Sequence, residues 1–230
     1  MSLKVLSTGA VKRGVTRVCA AFERDTGTKV EVEFTQAPLL RKRIAAGEAV
    51  DVVVVTPAAM DEFAAQSKIV PATRALLGRS RVGVVVHKDA TMPDVSDTDA
   101  FKRALRAASV VVHNSASSGI YVATLLEKLG LKAVLGSKIV VANSGSAIMD
   151  TVAAHGVGAV GLAQISEIMV MVDKGCAVKL AAPLPDAIQN ITTYHAAASA
   201  LASAPESAAA LARALTSDAA KKIFATSGID

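Results

Sequence analysis

The chain has 230 residues, of which 52% are hydrophobic but only 3% aromatic, with no tryptophan. That length accommodates two lobes of roughly 100 residues each, and a core so poor in rings must be built from Val, Ala, Leu and Ile, as in sheets covered by helices on both faces. The formal charge is +5, which suits nucleic acid, an anionic surface or an anionic small molecule, yet the basic residues are scattered and lack aromatic companions for base stacking, which argues against nucleic acid.

The first strand runs from Lys4 to Leu6 and ends at Ser7-Thr8-Gly9; a helix from about Val11 to Arg24 follows, with Val15, Val18, Cys19 and Phe22 on one face. Gly27 stops it. Lys29 to Phe34 alternates as a second strand, Thr35-Gln36-Ala37-Pro38 is the next loop, and Leu39 to Ala46 is a helix ended by Gly47. Val52 to Val55 is an unbroken β-branched run, hence a buried strand, and Thr56-Pro57 opens another helix with proline at the position a helix start tolerates best. An irregular stretch around Pro71 to Gly78 leads to a strand over Val82 to Val86, and the chain is expected to cross into a second lobe at His87.

There the pattern starts afresh. Asp97 to Ala107 reads as an amphipathic helix, Val110 to Val112 as a strand, Ser115 to Gly119 as a polar loop, and Ile120 to Leu129 as a helix closed by Gly130. Ile139 to Ala142, Asn143 to Ser146 and Ala147 to Ala154 form a further strand, loop and helix, and Val157 to Leu162 is a Gly-punctuated strand followed by Ala163-Gln164-Ile165-Ser166. After Val178 to Ala181, the segment Ile191 to Ala198 returns the chain to the first lobe. Two Ala-rich helices end it, Pro205 to Leu215 and Asp218 to Ala225, with Asp218 in a position to cap the second. The expected division is residues 1–86 and 195–230 in one lobe and 87–194 in the other.

Strands repeatedly end in short loops of Ser, Thr, Gly, Asn or Gln that open helices. In a parallel sheet such loops share one edge, where ligands of open α/β sheets meet helix N-termini and their unpaired amides. Ser7, Thr8 and Gly9 with Thr35 and Gln36 supply this edge in the first lobe; Ser115, Ser117, Ser118 and Gly119 with the loop around Gly145 supply it in the second. Taken singly, each hydroxyl could be no more than a helix cap. The run Ser115 to Gly119 is the sharpest signal, because small residues and a glycine let backbone amides approach an oxyanion. Arg43, beside the second loop, could pair with a carboxylate or oxyanion.

The four histidines stand isolated, with no cysteine or carboxylate at metal-ligand spacing, so neither a metal nor a cofactor is expected. His113 is singled out, since it follows a buried strand and precedes the Ser-rich loop, where it could touch an anion or move a proton. No Gly-x-Ser-x-Gly, Walker loop or dinucleotide fingerprint occurs. Cys19 and Cys176 lie far apart and read as free thiols. No apolar run reaches the roughly 18 residues that span a bilayer, and no leader precedes the first strand, which implies either a cytoplasmic protein or a periplasmic one whose leader has been removed.

Several separated phrases, in order, resemble the molybdate-binding-like branch of type 2 periplasmic solute-binding proteins. They are Ser7-Thr8-Gly9, Phe22-Glu23-x-x-Thr26-Gly27-x-Lys29-Val30, the stretch from Arg43 to Val54, Ser115-Ala116-Ser117-Ser118-Gly119-Ile120-Tyr121, and Gly158-x-x-Gly161-x-x-Gln164-Ile165-Ser166-Glu167. The resemblance implies two α/β lobes joined by crossing strands, hinge closure around an oxyanion or a di- or tricarboxylate, and a monomer that delivers its solute to an ABC permease. It also implies ligand contacts from the Ser7 and Thr35 loops, the Ser-rich loop and the strand end at Gln164. Molybdate binders place a tyrosine after the late Gly-rich strand, where this chain has Leu162 and Ala163. A related subgroup includes aconitate isomerase, which shifts a double bond by proton transfer; for that alternative the base would be His113 or Glu167.

Overall fold

The computed structural model describes residues 2–115 and 117–230, apart from the side chain of Ser117. The chain forms two compact α/β units, one of residues up to Ser80 together with Thr192–Asp230, the other Arg81–Ile191. Each is a sheet with helices on both faces, the periplasmic-binding-protein-like arrangement.

In the first unit β1 (Ser2–Thr8) leads through a short turn into α1 (Lys12–Thr26), which Gly27 ends in the left-handed conformation at φ 72°. Then come β2 (Lys29–Thr35), α2 (Ala37–Ala45), β3 (Val52–Val55) and α3 (Pro57–Ala65). β2 and β3 both lie parallel to β1, with Thr8 opposite Thr35 and Ser7 opposite Val54. The alternation of β1 is why the unit has two cores: Val5 faces α1, where Val15, Leu211 and Phe224 gather, and Leu6 faces α2 and α3, where Leu40, Met60 and Phe63 gather.

The chain leaves this unit along β4 (Ala75–His87). The irregular stretch expected up to Gly78 is thus partly strand. Its first half shows no β-branched run, and its order comes from the far end of the chain: Arg79 and Asp230 exchange backbone hydrogen bonds of 2.6 and 3.0 Å. Gly78 leaves room for Ile229, since a Cβ there would fall 2.4 Å from Ile229 Cγ2.

The second unit contains α4 (Thr98–Ala107), β5 (Val110–Asn114), α5 (Ser117–Lys128), α6 (Leu131–Leu135), β6 (Ile139–Ala142), α7 (Gly145–His155), β7 (Ala159–Gln164), α8 (Ile165–Asp173) and β8 (Val178–Pro183). β6 and β7 flank β5 in parallel, and β4 runs antiparallel to β7 and β8. Phe101, Val122 and Leu126 fill one face of this sheet, and Ile148, Met149 and Ile168 the other. α5 and α7 start earlier than their apolar periodicity indicates, because their first turns are made of Ser and Gly, residues that favour helix ends and carry no apolar stripe.

β9 (Ile191–Ala198) returns the chain to the first unit and pairs antiparallel with β3. The passage points expected after Val86 and after Tyr194 fall within β4 and β9, the two strands in which the units divide. α9 (Pro205–Leu215) and α10 (Asp218–Ala225) pack on α1. Ser217 caps α10, accepting from Ala220 N, so the capping expected of Asp218 is corrected: Asp218 is already the first helical residue. Cys19 and Cys176 are free thiols, and burial, helped by the negative charge of Glu23, pushes the Cys19 thiol up to about 12.

Candidate functional site

In the first unit the carboxyl ends of the parallel strands are Thr8, Thr35 and Val55. Each opens a helix or helical turn whose preceding residue is Thr8, Gln36 or Thr56, and none of these three spends its side chain on a capping hydrogen bond. The simplest explanation for a Ser/Thr/Asn/Gln residue at a helix start, that it satisfies an orphan amide, therefore does not account for them. Thr8 is only 6% exposed, and its Oγ1 has no hydrogen-bond partner among the described residues. Ser7, on the opposite face of β1 and fully buried, donates to Thr8 O at 3.1 Å. Gly9 borders open space, Thr35 is half-buried and Gln36 exposed.

Arg43 already has partners within the chain. It stands in the last turn of α2, a helix that begins at this edge and runs away from it at about 1.5 Å per residue. Its guanidinium is taken up by carboxylates of the chain itself, donating to Glu48 at 2.5 Å and to Glu33 Oε2 at 2.7 Å. Those bonds raise the pKa of Arg43 and hold both carboxyls below their usual range.

A group that sequence reading left aside reaches the end of β3. His195 lies opposite Val55, and Arg74 Nε donates to its Nδ1 at 2.9 Å while Arg74 also pairs with Asp61 at 2.5 Å and reaches Pro57 O. Burial and the adjacent guanidinium push the pKa of His195 down. With Nδ1 occupied as an acceptor, the proton of the neutral ring must sit on Nε2, which makes His195 a fixed neutral donor. Arg74 and His195 are 121 positions apart, so no local pattern links them.

In the second unit β5, β6 and β7 end together at Asn114, Ala142 and Gln164, and α5, α7 and α8 begin there. Ala116 and the Ser117 hydroxyl, both within the expected Ser-rich loop, lie outside the described residues. Ser115 is exposed, Ser118 and Gly119 are buried. Gly119 is required sterically: a Cβ would fall 1.8 Å from Asn114 O, so only glycine lets the first turn of α5 close onto the end of β5. His113 is 5% exposed, and its Nδ1 lies 2.8 Å from Asn114 O. Since a carbonyl only accepts, Nδ1 carries the hydrogen, and the neutral ring keeps its lone pair on Nε2.

Ser144 caps α7, accepting from Ala147 N at 3.2 Å, and is explained by that role. The next residue, Gly145, touches Glu167 of α8: a Cβ on Gly145 would fall 2.3 Å from Glu167 Oε2. Gln164 is buried at the end of β7 and does not cap α8 with its side chain. Burial raises the pKa of Glu167. No group of three or more metal-ligating side chains occurs among the described residues. The hollow of about 390 Å³ lined by Thr91, Arg103, Val157 and Ala159 lies at the amino ends of β5 and β7, away from these residues.

What each edge can do chemically is hold negative charge, because helix starts gather there beside hydroxyl-bearing residues. Residues 3–230 match the family profile described as bacterial extracellular solute-binding protein. An aconitate isomerase from Pseudomonas sp is 28% identical over 236 residues, covering 99% of this chain and 87% of that protein. Among solved structures, the substrate binding domain of a putative molybdenum ABC transporter from Clostridium difficile superposes with a TM-score of 0.78 at 18% identity, covering 100% of this chain and 98% of the other. The periplasmic molybdate-binding protein of Azotobacter vinelandii does so at 0.76 and 16% identity, over 99% and 98% of the two chains.

Proposed function

Because the chain belongs to the bacterial extracellular solute-binding protein family, we propose that it binds a small anionic solute, an oxyanion or a di- or tricarboxylate, and presents it to an ABC permease. The observation that carries this reading is the uncapped helix starts at Thr8, Gln36 and Thr56, together with the orphan hydroxyl of Thr8. A buried polar group without a partner is costly and rare, and a bound anion is what would relieve it. Each unit offers its own candidate ligand groups, all neutral: Ser7, Thr8, Gly9, Thr35, Gln36 and His195 in the first, and Ser115, Ser117, Ser118, Gly119, Gly145 and Gln164 in the second. The protein acts as a monomer outside the cytoplasmic membrane, and no helix among the described residues is long and apolar enough to cross one.

A thermal-shift screen over molybdate, tungstate, sulfate, phosphate and di- and tricarboxylates tests this, since a ligand held only by the folded form raises the melting temperature. Calorimetry on the best ligand should then show Ser118→Ala weakening it by about 1 to 3 kcal/mol. A screen without any stabilising anion refutes the reading.

The similarity to an aconitate isomerase and the buried carboxyl of Glu167 favour a second reading, turnover of a tricarboxylate. Glu167 or the His113 lone pair would take a proton from the methylene carbon of aconitate, the allylic anion would delocalise onto the carboxylates, and a proton would return to the former vinylic carbon. Proton NMR of cis- and trans-aconitate in D2O decides it: isomer interconversion with deuterium uptake, lost in Glu167→Gln or His113→Ala, makes the protein an enzyme. An unchanged isomer ratio leaves it a carrier.

A further inference from the structure

Asp51 and Glu167 hold carboxylate oxygens away from solvent in opposite circumstances, Asp51 as a buried residue and Glu167 as a half-buried one. Asp51, 3% exposed, accepts from Lys4 N at 2.7 Å, Ser203 N at 2.8 Å and Ser203 Oγ at 2.9 Å, and so is fully explained as a tie between β1 and the segment before α9. Glu167 Oε2 is sealed from solvent and accepts from no described residue. Its carboxyl rests on Gly145, where β6 hands over to α7, three residues beyond Gln164 at the end of β7. Any residue but glycine at 145 would push it away. The other ionisable groups on the elements packed around it are Asp150 and His155 of α7, Lys179 of β8 and Asp173 of α8 itself, and none of them contributes to its shift; burial is the sole cause.

We infer that Glu167 is a specificity-determining residue that faces the bound anion and requires one proton to lie between carboxyl and ligand, so the site selects organic acids with a hydroxyl of their own over ligands that offer only acceptors. This rests on the anion-binding reading above. A buried acceptor gains a partner when the ligand donates to it. A fully deprotonated ligand without a donor sets acceptor against acceptor, unless Glu167 first takes up a proton, and its binding is then linked to pH. The sign follows: above the carboxyl's pKa, affinity for a donor-less anion falls as pH rises, by up to about tenfold per pH unit for one linked proton. Affinity for a ligand that brings its own hydroxyl does not.

Citrate and tricarballylate form a matched pair, with the same three carboxylates and one hydroxyl of difference; molybdate serves as a donor-less oxyanion. Calorimetry with each, between pH 6 and pH 8.5, should show citrate favoured over tricarballylate by about tenfold or more at the upper pH, and affinity for donor-less ligands declining as pH rises. Glu167→Gln keeps the shape and supplies a permanent N–H donor. It should tighten the binding of tricarballylate or molybdate at pH 8.5 and flatten the pH profile, with the melting temperature confirming the fold. Equal affinities and identical pH profiles in the wild type and Glu167→Gln, for whichever of these anions binds, overturn the inference alone. No binding of any of them or of the other anions screened overturns the anion-binding reading on which it stands.

Discussion

Replacing Thr8 by Val separates stability from binding in a way few substitutions do. The side chains are nearly isosteric, the position is the last residue of a strand, and Val suits a strand. What is lost is one hydroxyl that is 6% exposed, caps nothing and bonds to no described residue. Removing a buried polar group that lacks a partner relieves its desolvation cost, about 1 kcal/mol here, which for a chain of this size raises the melting temperature of the unliganded protein by about 2 to 4 °C. The same change deletes a donor to a charged ligand, a loss of about 1.5 to 3 kcal/mol, or roughly 10- to 150-fold in Kd. Differential scanning calorimetry of the ligand-free protein and titration calorimetry with the best anion from the screen give both numbers. A lower melting temperature with unaltered affinity would show that the hydroxyl serves the fold, and the assignment of this edge would fail.

Gly119→Ala should destabilise the second unit by about 1 to 3 kcal/mol through overpacking and abolish anion binding, because the new methyl meets Asn114 O at 1.8 Å and must drive the first turn of α5 outward; denaturant titration with calorimetry checks it. Asp51→Ala strands the amides of Lys4 and Ser203 and should lower stability by about 3 kcal/mol in total, seen as a shifted urea midpoint with an unaltered slope. The raised pKa of Glu167 fixes the sign of a pH effect. Between its ordinary value of 4.5 and its folded value the native state holds the extra proton, so this stabilisation is complete below pH 4.5 and is lost as pH rises through the folded pKa. Subtracting the stability profile of Glu167→Gln from that of the wild type isolates that decline, and a flat difference shows that the carboxyl is not buried as described.

Much of the frame was legible in the residues because its signals are local. The unbroken run Val52–Val55, the alternation of β2, the left-handed Gly27 and the Ser/Thr/Gly residues after successive strands each depend on neighbours a few positions away. Helix starts were legible less well: the first turns of α5 and α7 are written in Ser and Gly, which look the same in a loop and at a helix N-terminus. The capping of α10 shifted by one residue for a similar reason, since Ser217 and Asp218 are both competent and only backbone geometry chooses between them.

What the amino-acid order determined by itself is the alternation of strands and helices and the edge at which their polar connections gather. Only the tertiary structure decided which of those polar groups are already satisfied: Ser144 by its own helix, Arg43 by Glu33 and Glu48, Asp51 by Lys4 and Ser203, but Thr8 and Glu167 by no described residue. Periodicity and turn chemistry act over a few residues, whereas the satisfaction of a buried donor or acceptor is settled by groups that the fold brings from anywhere in the chain, as Arg74 is brought to His195.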